Sequence, residues 1–218
     1  MDAVKELCIF NTMVLNEYSK LNYYPKDITQ IINGMYYNLF RIKIKCGNGY
    51  SIMLFNNKVY VWGANEYGEL GLGHTNNVNS PQKLNLENII KISCGSFHSM
   101  AITNANQVYV WGDNGYCQLG LGHNNKVNSP QKLNLENIIK ISCGGYHSIA
   151  ITNSNQVYVW GNNKHGQLGL GHNNNVNSPQ KLNLDNIIKI SCGRSHSMAI
   201  TNSNQVYVWV VMNLVNWV

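Results

Sequence analysis

Three Cys-Gly-x-x-His steps carry the residue types best suited to chemistry: Cys94/His98, Cys143/His147 and Cys192/His196. Thiolate and imidazole are both zinc ligands, so a metal reading follows from the side chains alone. Two ligands per step are too few for a closed tetrahedral site, however. A fourth step pairs Cys46 with Tyr50, where the others have histidine. The expected roles are structural: cysteine packs as a small hydrophobe, and histidine bonds the backbone of a neighbouring unit. No metal and no cofactor are expected.

The stretch Gly-x-Leu-Gly-Leu-Gly (Gly68–Gly73 and Gly166–Gly171) has the glycine density of a phosphate loop. Such loops need a following helix whose N-terminus faces the phosphate, together with a lysine or a ribose-binding acid. Here a polar loop and a strand-like segment follow, so the glycines are assigned to tight turns with positive φ. Cys117 stands where Gly68 and Gly166 stand. A side chain at a positive-φ site is expected to be strained.

His74, His123 and His172 open Asn-rich loops just after these turns. They recur on one face and form a candidate loop binding surface, with polar loop filler as the blander alternative. Lysines recur at 83, 132 and 181 and again at 91, 140 and 189, partly offset by Glu87, Glu136 and Asp185. With 16 basic and 10 acidic residues in 218, the net charge of +6 is too mild and too dispersed to mark a nucleic-acid protein. No catalytic triad, carboxylate pair or cofactor fingerprint is present, so no catalytic residue is assigned and the chain is expected not to be an enzyme. Charged residues are only 12% against 44% apolar ones, which excludes a solvated disordered chain. No apolar run approaches the roughly 20 residues of a membrane span.

All these residues ride on one repeat. Trp62, Trp111, Trp160 and Trp209 are spaced 49 residues apart, and 107–155 matches 156–204 at 40 of 49 positions. The unit ending at Trp111 reads as four short strands, Pro81–Leu86, Ile89–Cys94, His98–Thr103 and Gln107–Trp111, with period-two alternation and Asn, Gly or Ser between them. Four strands per unit predict propeller blades rather than solenoid turns. Cysteines at equivalent positions of stacked units are too far apart to bridge, so Cys46, Cys94, Cys143 and Cys192 are expected as buried thiols in a reducing compartment. The repeated tryptophans are expected in the core or at blade interfaces.

The segments VYVWGANEYGELGLG (Val59–Gly73) and CGSFHSMAIT (Cys94–Thr103) resemble the repeat of the RCC1 (regulator of chromosome condensation) family, from about Cys46 to Trp209. The resemblance implies an all-β propeller of four-stranded blades, seven in the family. It implies roles as protein-interaction modules, chromatin binders, substrate-recruiting parts of larger proteins or guanine-nucleotide exchange factors for a small GTPase. Exchange in the family depends on a blade insertion, and the units here are uniform.

The expected organisation is a non-repeat segment over 1–38, repeats over 39–209 and an aberrant tail over 210–218, giving an incomplete propeller of about three to four blades. Pro25–Tyr37 predicts a short helix that closes the first blade, where that unit lacks its Pro-Gln-Lys-Leu strand. Its Pro-x-x-Ile-x-x-Ile opening resembles the start of an F-box over thirteen residues. After Trp209 the motif gives way to VVMNLVNWV. Deleting one G from a synonymous spelling of Trp-Gly-Gly-Asn-Glu-Phe-Gly-Gln-Leu-Gly-Leu-Gly yields this string and then a stop, so a frameshift-truncated copy of a longer propeller is expected. A non-functional product of gene decay is the alternative. Open end blades would expose apolar faces, which predicts poor solubility or self-association. The expected partner is an unidentified protein, without nucleic acid or membrane, in the cytoplasm or nucleus.

Overall fold

Alternating Val-Tyr-Val-Trp and Ile-x-Ile patterns suit strands buried on both faces, and the chain uses them in four antiparallel sheets. The computed structural model describes residues 42–209 and, as backbone, a final strand at Val215–Trp217. The first sheet comprises β1 (Lys43–Cys46), β2 (Tyr50–Phe55), β3 (Lys58–Gly63) and β4 (Val78–Lys83). The second holds β5 (Ile89–Cys94), β6 (His98–Thr103), β7 (Val108–Gly112) and β8 (Val127–Lys132). The third holds β9 (Ile138–Cys143), β10 (His147–Thr152), β11 (Val157–Gly161) and β12 (Val176–Leu182). The fourth holds β13 (Ile187–Cys192), β14 (Ser197–Thr201), β15 (Val206–Trp209) and β16 (Val215–Trp217). Each is an up-and-down meander, a propeller blade. No helix among the described residues is long and apolar enough to cross a membrane.

Two features differ from the sequence reading. The outer strand begins three residues earlier than Pro81 and pairs with the strand before it, Tyr60 opposite Lys83 and Val61 opposite Gln82. It therefore closes the preceding blade instead of opening the next one. The first blade consequently lacks nothing: its Pro-Gln-Lys strand is β4. The place left without that motif is in the fourth blade, where β16 of the tail takes it, Val206 opposite Trp217 and Val208 opposite Val215. The helix expected at Pro25–Tyr37, with its F-box likeness, lies outside the described residues.

Asparagine solves the turns. Asn56 and Asn57 both have positive φ (48° and 60°), the geometry of a two-residue hairpin turn. Asn106, Asn155 and Asn204 end the later hairpins at φ 57°, 59° and 64°, and Asn88, Asn137 and Asn186 do so between blades. Asparagine is the non-glycine residue that enters this region at least cost.

The core is a series of seams rather than one centre. Ile52, Leu54, Val59 and Val61 of the first blade pack on Ile92, Ala101 and Trp111 of the second. Met100, Ile102, Val108 and Val110 meet Cys143, Ala150 and Trp160. Ile149, Ile151, Val157 and Val159 meet Ala199 and Trp209. Each blade thus has a leading face and a trailing face, and the seams run head to tail.

Cys117 has φ 64°, beside 79° at Gly68 and 71° at Gly166, so the strain expected from the sequence is present. Left-handed backbone costs a side chain about 1–2 kcal/mol, and glycine's greater unfolded-state entropy returns part of it. Cys117→Gly is expected to stabilise the chain by roughly 0.5–1 kcal/mol, read as a higher urea midpoint. A lower midpoint would show that the thiol's contacts outweigh the strain.

Candidate interaction face

The Cys-Gly-x-x-His step turns the chain from the innermost strand of a blade into the second. Its histidine then reaches across the seam. His98 Nε2 lies 2.9 Å from Ser148 Oγ, and His147 Nε2 lies 2.8 Å from Ser197 Oγ. Ser148 donates to Gln118 O and Ser197 to Gln167 O, both at 2.8 Å, so the histidine Nε2 must carry the donated hydrogen. The partner is a serine hydroxyl of the next blade, not the backbone expected from the sequence. Nδ1 of both rings is buried without a partner among the described residues. Burial pushes His98 down to about 3 and His147 down to about 4. Tyr50 replaces histidine in the first blade by donating to His98 O at 2.6 Å, with Ser99 Oγ 3.1 Å from its hydroxyl.

Trp111 and Trp160 complete these seams, donating from Nε1 to Glu69 O at 2.8 Å and to Gln118 O at 2.9 Å. Trp209 is buried in the third seam, its Nε1 without a partner among the described residues. Lys43 donates to Ile90 O at 2.7 Å, Lys91 to Ile139 O and Lys140 to Ile188 O, each in the following blade. Lys91 and Lys140 of the inner series are therefore spent on joints rather than on an anionic partner, while Lys189 is exposed. Lys83 pairs with Glu87 at 3.0 Å on the surface.

The five described cysteines are free thiols. Cys143 is buried, Cys94 and Cys192 are half-buried and Cys46 is exposed, so the expected burial holds unevenly along the series. Burial pushes Cys94 and Cys192 up to about 12 and Cys143 well above its ordinary value, which keeps them protonated and weak as ligands. Among the described residues no three His, Cys, Asp or Glu side chains gather as a metal-ion site.

His74, His123 and His172 help to build their own loops. Each Nδ1 accepts a backbone N–H two residues on, from Asn76, Asn125 and Asn174, at 3.2 Å. Buried Asn65, Asn114 and Asn163 organise the same loops, donating to the carbonyls of His74, His123 and His172 and accepting from Leu70, Leu119 and Leu168 N at 3.0 Å. These asparagines and the joint serines escaped the sequence reading. Their signal was recurrence once per unit, hidden among many other asparagines and serines.

The inner turns surround a cavity of about 520 Å³ whose lining includes Asn48, Ser96, Phe97, Tyr146 and Arg194. Beside it runs an aromatic row. Gly63, Gly112 and Gly161 allow the outer loops to approach these turns so closely that a Cβ would meet the carbonyls of Gly49, Phe97 and Tyr146 at 2.4–2.7 Å. That approach brings Tyr67 to 4.9 Å from Phe97 and Tyr116 to 5.0 Å from Tyr146, ring centroid to centroid, with 6.0 Å between Phe97 and Tyr146. Lys164 Nζ lies 5.3 Å from the Tyr116 ring, a cation–π distance, and Arg194 is exposed on the same side. Partly exposed tyrosine, phenylalanine and arginine around a concavity form the composition of an interaction hot spot. Glu69 beneath the row is buried, and desolvation raises its pKa, whereas the equivalent positions carry Gln118 and Gln167.

Seam, turn and loop together define a propeller of four-stranded blades with recurring joints supplied by His, Ser and Trp. The chain belongs to the RCC1-like domain family, whose model matches residues 16–210. Among solved structures, human WBSCR16 superposes with a TM-score of 0.71 at 24% identity, over 78% of this chain and 47% of that one. Prp20p from Saccharomyces cerevisiae, a yeast RCC1 whose binding to Gsp1p and histones has been described, gives 0.69 at 25% identity, over 84% and 46%. Among curated proteins, the serine/threonine-protein kinase Nek9 of Xenopus laevis is 38% identical over 65 residues, 28% of this chain and 7% of the kinase. The probable E3 ubiquitin-protein ligase HERC6 of Homo sapiens is 35% identical over 65 residues, 28% of this chain and 6% of the ligase. The chain thus spans under half the length of these solved relatives and under a tenth of the curated ones.

Proposed function

We propose that this chain is a non-catalytic protein-interaction module, a truncated copy of a longer propeller, that takes its partner on the face carrying Tyr67, Phe97, Tyr146 and Tyr116. The observation that carries this reading is the aromatic row beside the cavity, capped by Lys164 and Arg194. The site offers exposed contact area and cationic donors. The loop histidines His74, His123 and His172 serve as a secondary surface. An intracellular setting, cytoplasmic or nuclear, suits five described thiols that are all free.

A photo-crosslinking side chain placed at Tyr146 and, as control, at exposed Lys132 on β8 tests the reading in an extract of the source organism. A discrete protein adduct from position 146 and not from 132 is expected; equal labelling at both would overturn the assignment of the face. A nucleotide-release assay with a small GTPase tests the exchange-factor alternative, and acceleration would put that function in place of the non-catalytic one.

A further inference from the structure

The three internal seams repeat one apolar packing and one lysine bond, the second and third share a full polar set, and the two ends of the blade series carry the halves that remain. On the leading face of the fourth blade, Met198 is 38% exposed, where Met100 and Ile149 at the same position are at 0% and 1%. Ile200, Val206 and Val208 are half-buried, against full burial of their counterparts Ile102, Val108 and Val110. Lys189, Ser191 and His196 are exposed and their side chains reach no partner among the described residues. The same positions supply the cross-seam bonds of Lys91 and Lys140, Ser93 and Ser142, and His98 and His147.

The trailing face of the first blade offers the complement. Ile44, the counterpart of Ile92, is 59% exposed. Cys46 is exposed, and Ser51, Met53 and Trp62 are half-buried. Their counterparts in the later blades, Ser148 and Ser197, Ala101 and Ala150, Trp111 and Trp160, are all buried.

We propose that the leading face of the fourth blade docks on the trailing face of the first blade of a second copy of this chain, as a fourth instance of the internal seam. In that joint His196 bonds Ser51 of the second copy, as His147 bonds Ser197. Lys189 donates to the carbonyl of its Ile42, as Lys140 donates to Ile188. The backbone N–H of its Cys46 donates to Ser191 Oγ, as that of Cys192 does to Ser142 Oγ. Met198 and Ile200 cover its Ile44 and Trp62. The occupant is a second copy because both halves of the joint belong to one sequence: the lysine bond and the apolar packing recur in all three internal seams, and the histidine–serine and cysteine N–H–serine bonds in the second and third. The joint is heterologous, so two copies use both ends only by closing on each other. This proposal rests on the reading of the chain as a truncated propeller and is independent of the partner taken by the loop face.

The full chain is expected to sediment as a self-associated species. Met198→Asp spoils only the leading face and Ile44→Asp only the trailing face; each alone is expected to weaken association about a hundredfold or more, since a carboxylate would be desolvated in the joint. Mixing the two variants restores a one-to-one complex through the one joint in which both faces are wild type. Both side chains are already exposed, so the variants should keep the wild-type far-UV circular dichroism. A monomeric wild-type chain, association indifferent to both substitutions, or variants that fail to complement each other would overturn the proposal. Loss of crosslinking at Tyr146 would leave it standing, which separates it from the reading of the loop face.

Discussion

Lowering the pH from 7 to 5 is expected to remove about 4 kcal/mol of folding stability through His98 and His147 alone. Both rings are fully buried, with Nε2–H committed to a serine and Nδ1 facing no partner among the described residues. A second proton has nowhere favourable to go. Burial holds the folded pKa values at about 3 and about 4, while the unfolded rings titrate near the ordinary value of about 6.5. The unfolded chain therefore binds more protons throughout this window, and stability falls as pH falls below the unfolded value. At pH 5 each ring contributes about 2 kcal/mol, a figure set chiefly by the unfolded pKa because both folded values already lie below 5. Glu69 acts in the opposite sense: its pKa is raised, so its contribution is fully present at low pH and is lost as pH rises through the folded value.

The double variant His98→Tyr/His147→Tyr isolates the effect. The first blade already uses Tyr50 at this position, over Gly47 as His98 lies over Gly95, with its hydroxyl beside Ser99. Tyrosine should preserve a cross-seam hydroxyl contact and remove the titration. Urea unfolding at pH 7, 6 and 5 should show a steep loss in the wild type and a much flatter profile in the variant. Equal slopes in the two proteins would reject the histidines as the cause.

Truncating Trp160 to alanine is expected to cost about 4 kcal/mol, while the same change at Trp62 should cost about 1–2 kcal/mol in the dilute chain. The two residues occupy the same place in the repeat and differ only in what lies against them. Trp160 is fully buried in the second seam, rests on Gly120 and donates to Gln118 O. Trp62 is half-buried at the end of the blade series and makes no indole hydrogen bond among the described residues. With total stabilities of about 5–15 kcal/mol for a domain, Trp160→Ala should shift the urea midpoint far below that of Trp62→Ala. Similar losses at the two sites would mean that the first blade is as well covered as the inner ones.

Much of this architecture is legible without coordinates. The 49-residue spacing of tryptophan and the period-two runs specify four-stranded blades, because alternation and strand length are local properties. The strain at Cys117 is legible too, since a glycine position in a repeat reports its own φ. What escaped is whatever depends on a neighbour. The outer strand Val78–Lys83 pairs backward, a choice made by backbone hydrogen bonding to β3 and not by its own residues. His98 finds Ser148, 50 positions away, because stacking sets one blade's leading face on the next blade's trailing face. The aromatic row likewise joins Tyr67 and Phe97 from different blades. Sequence alone determined the blade and its repetition; only the tertiary structure decided the phase of the strands, the partners of the histidines and the exposed face, because stacking contacts carry no local sequence signal.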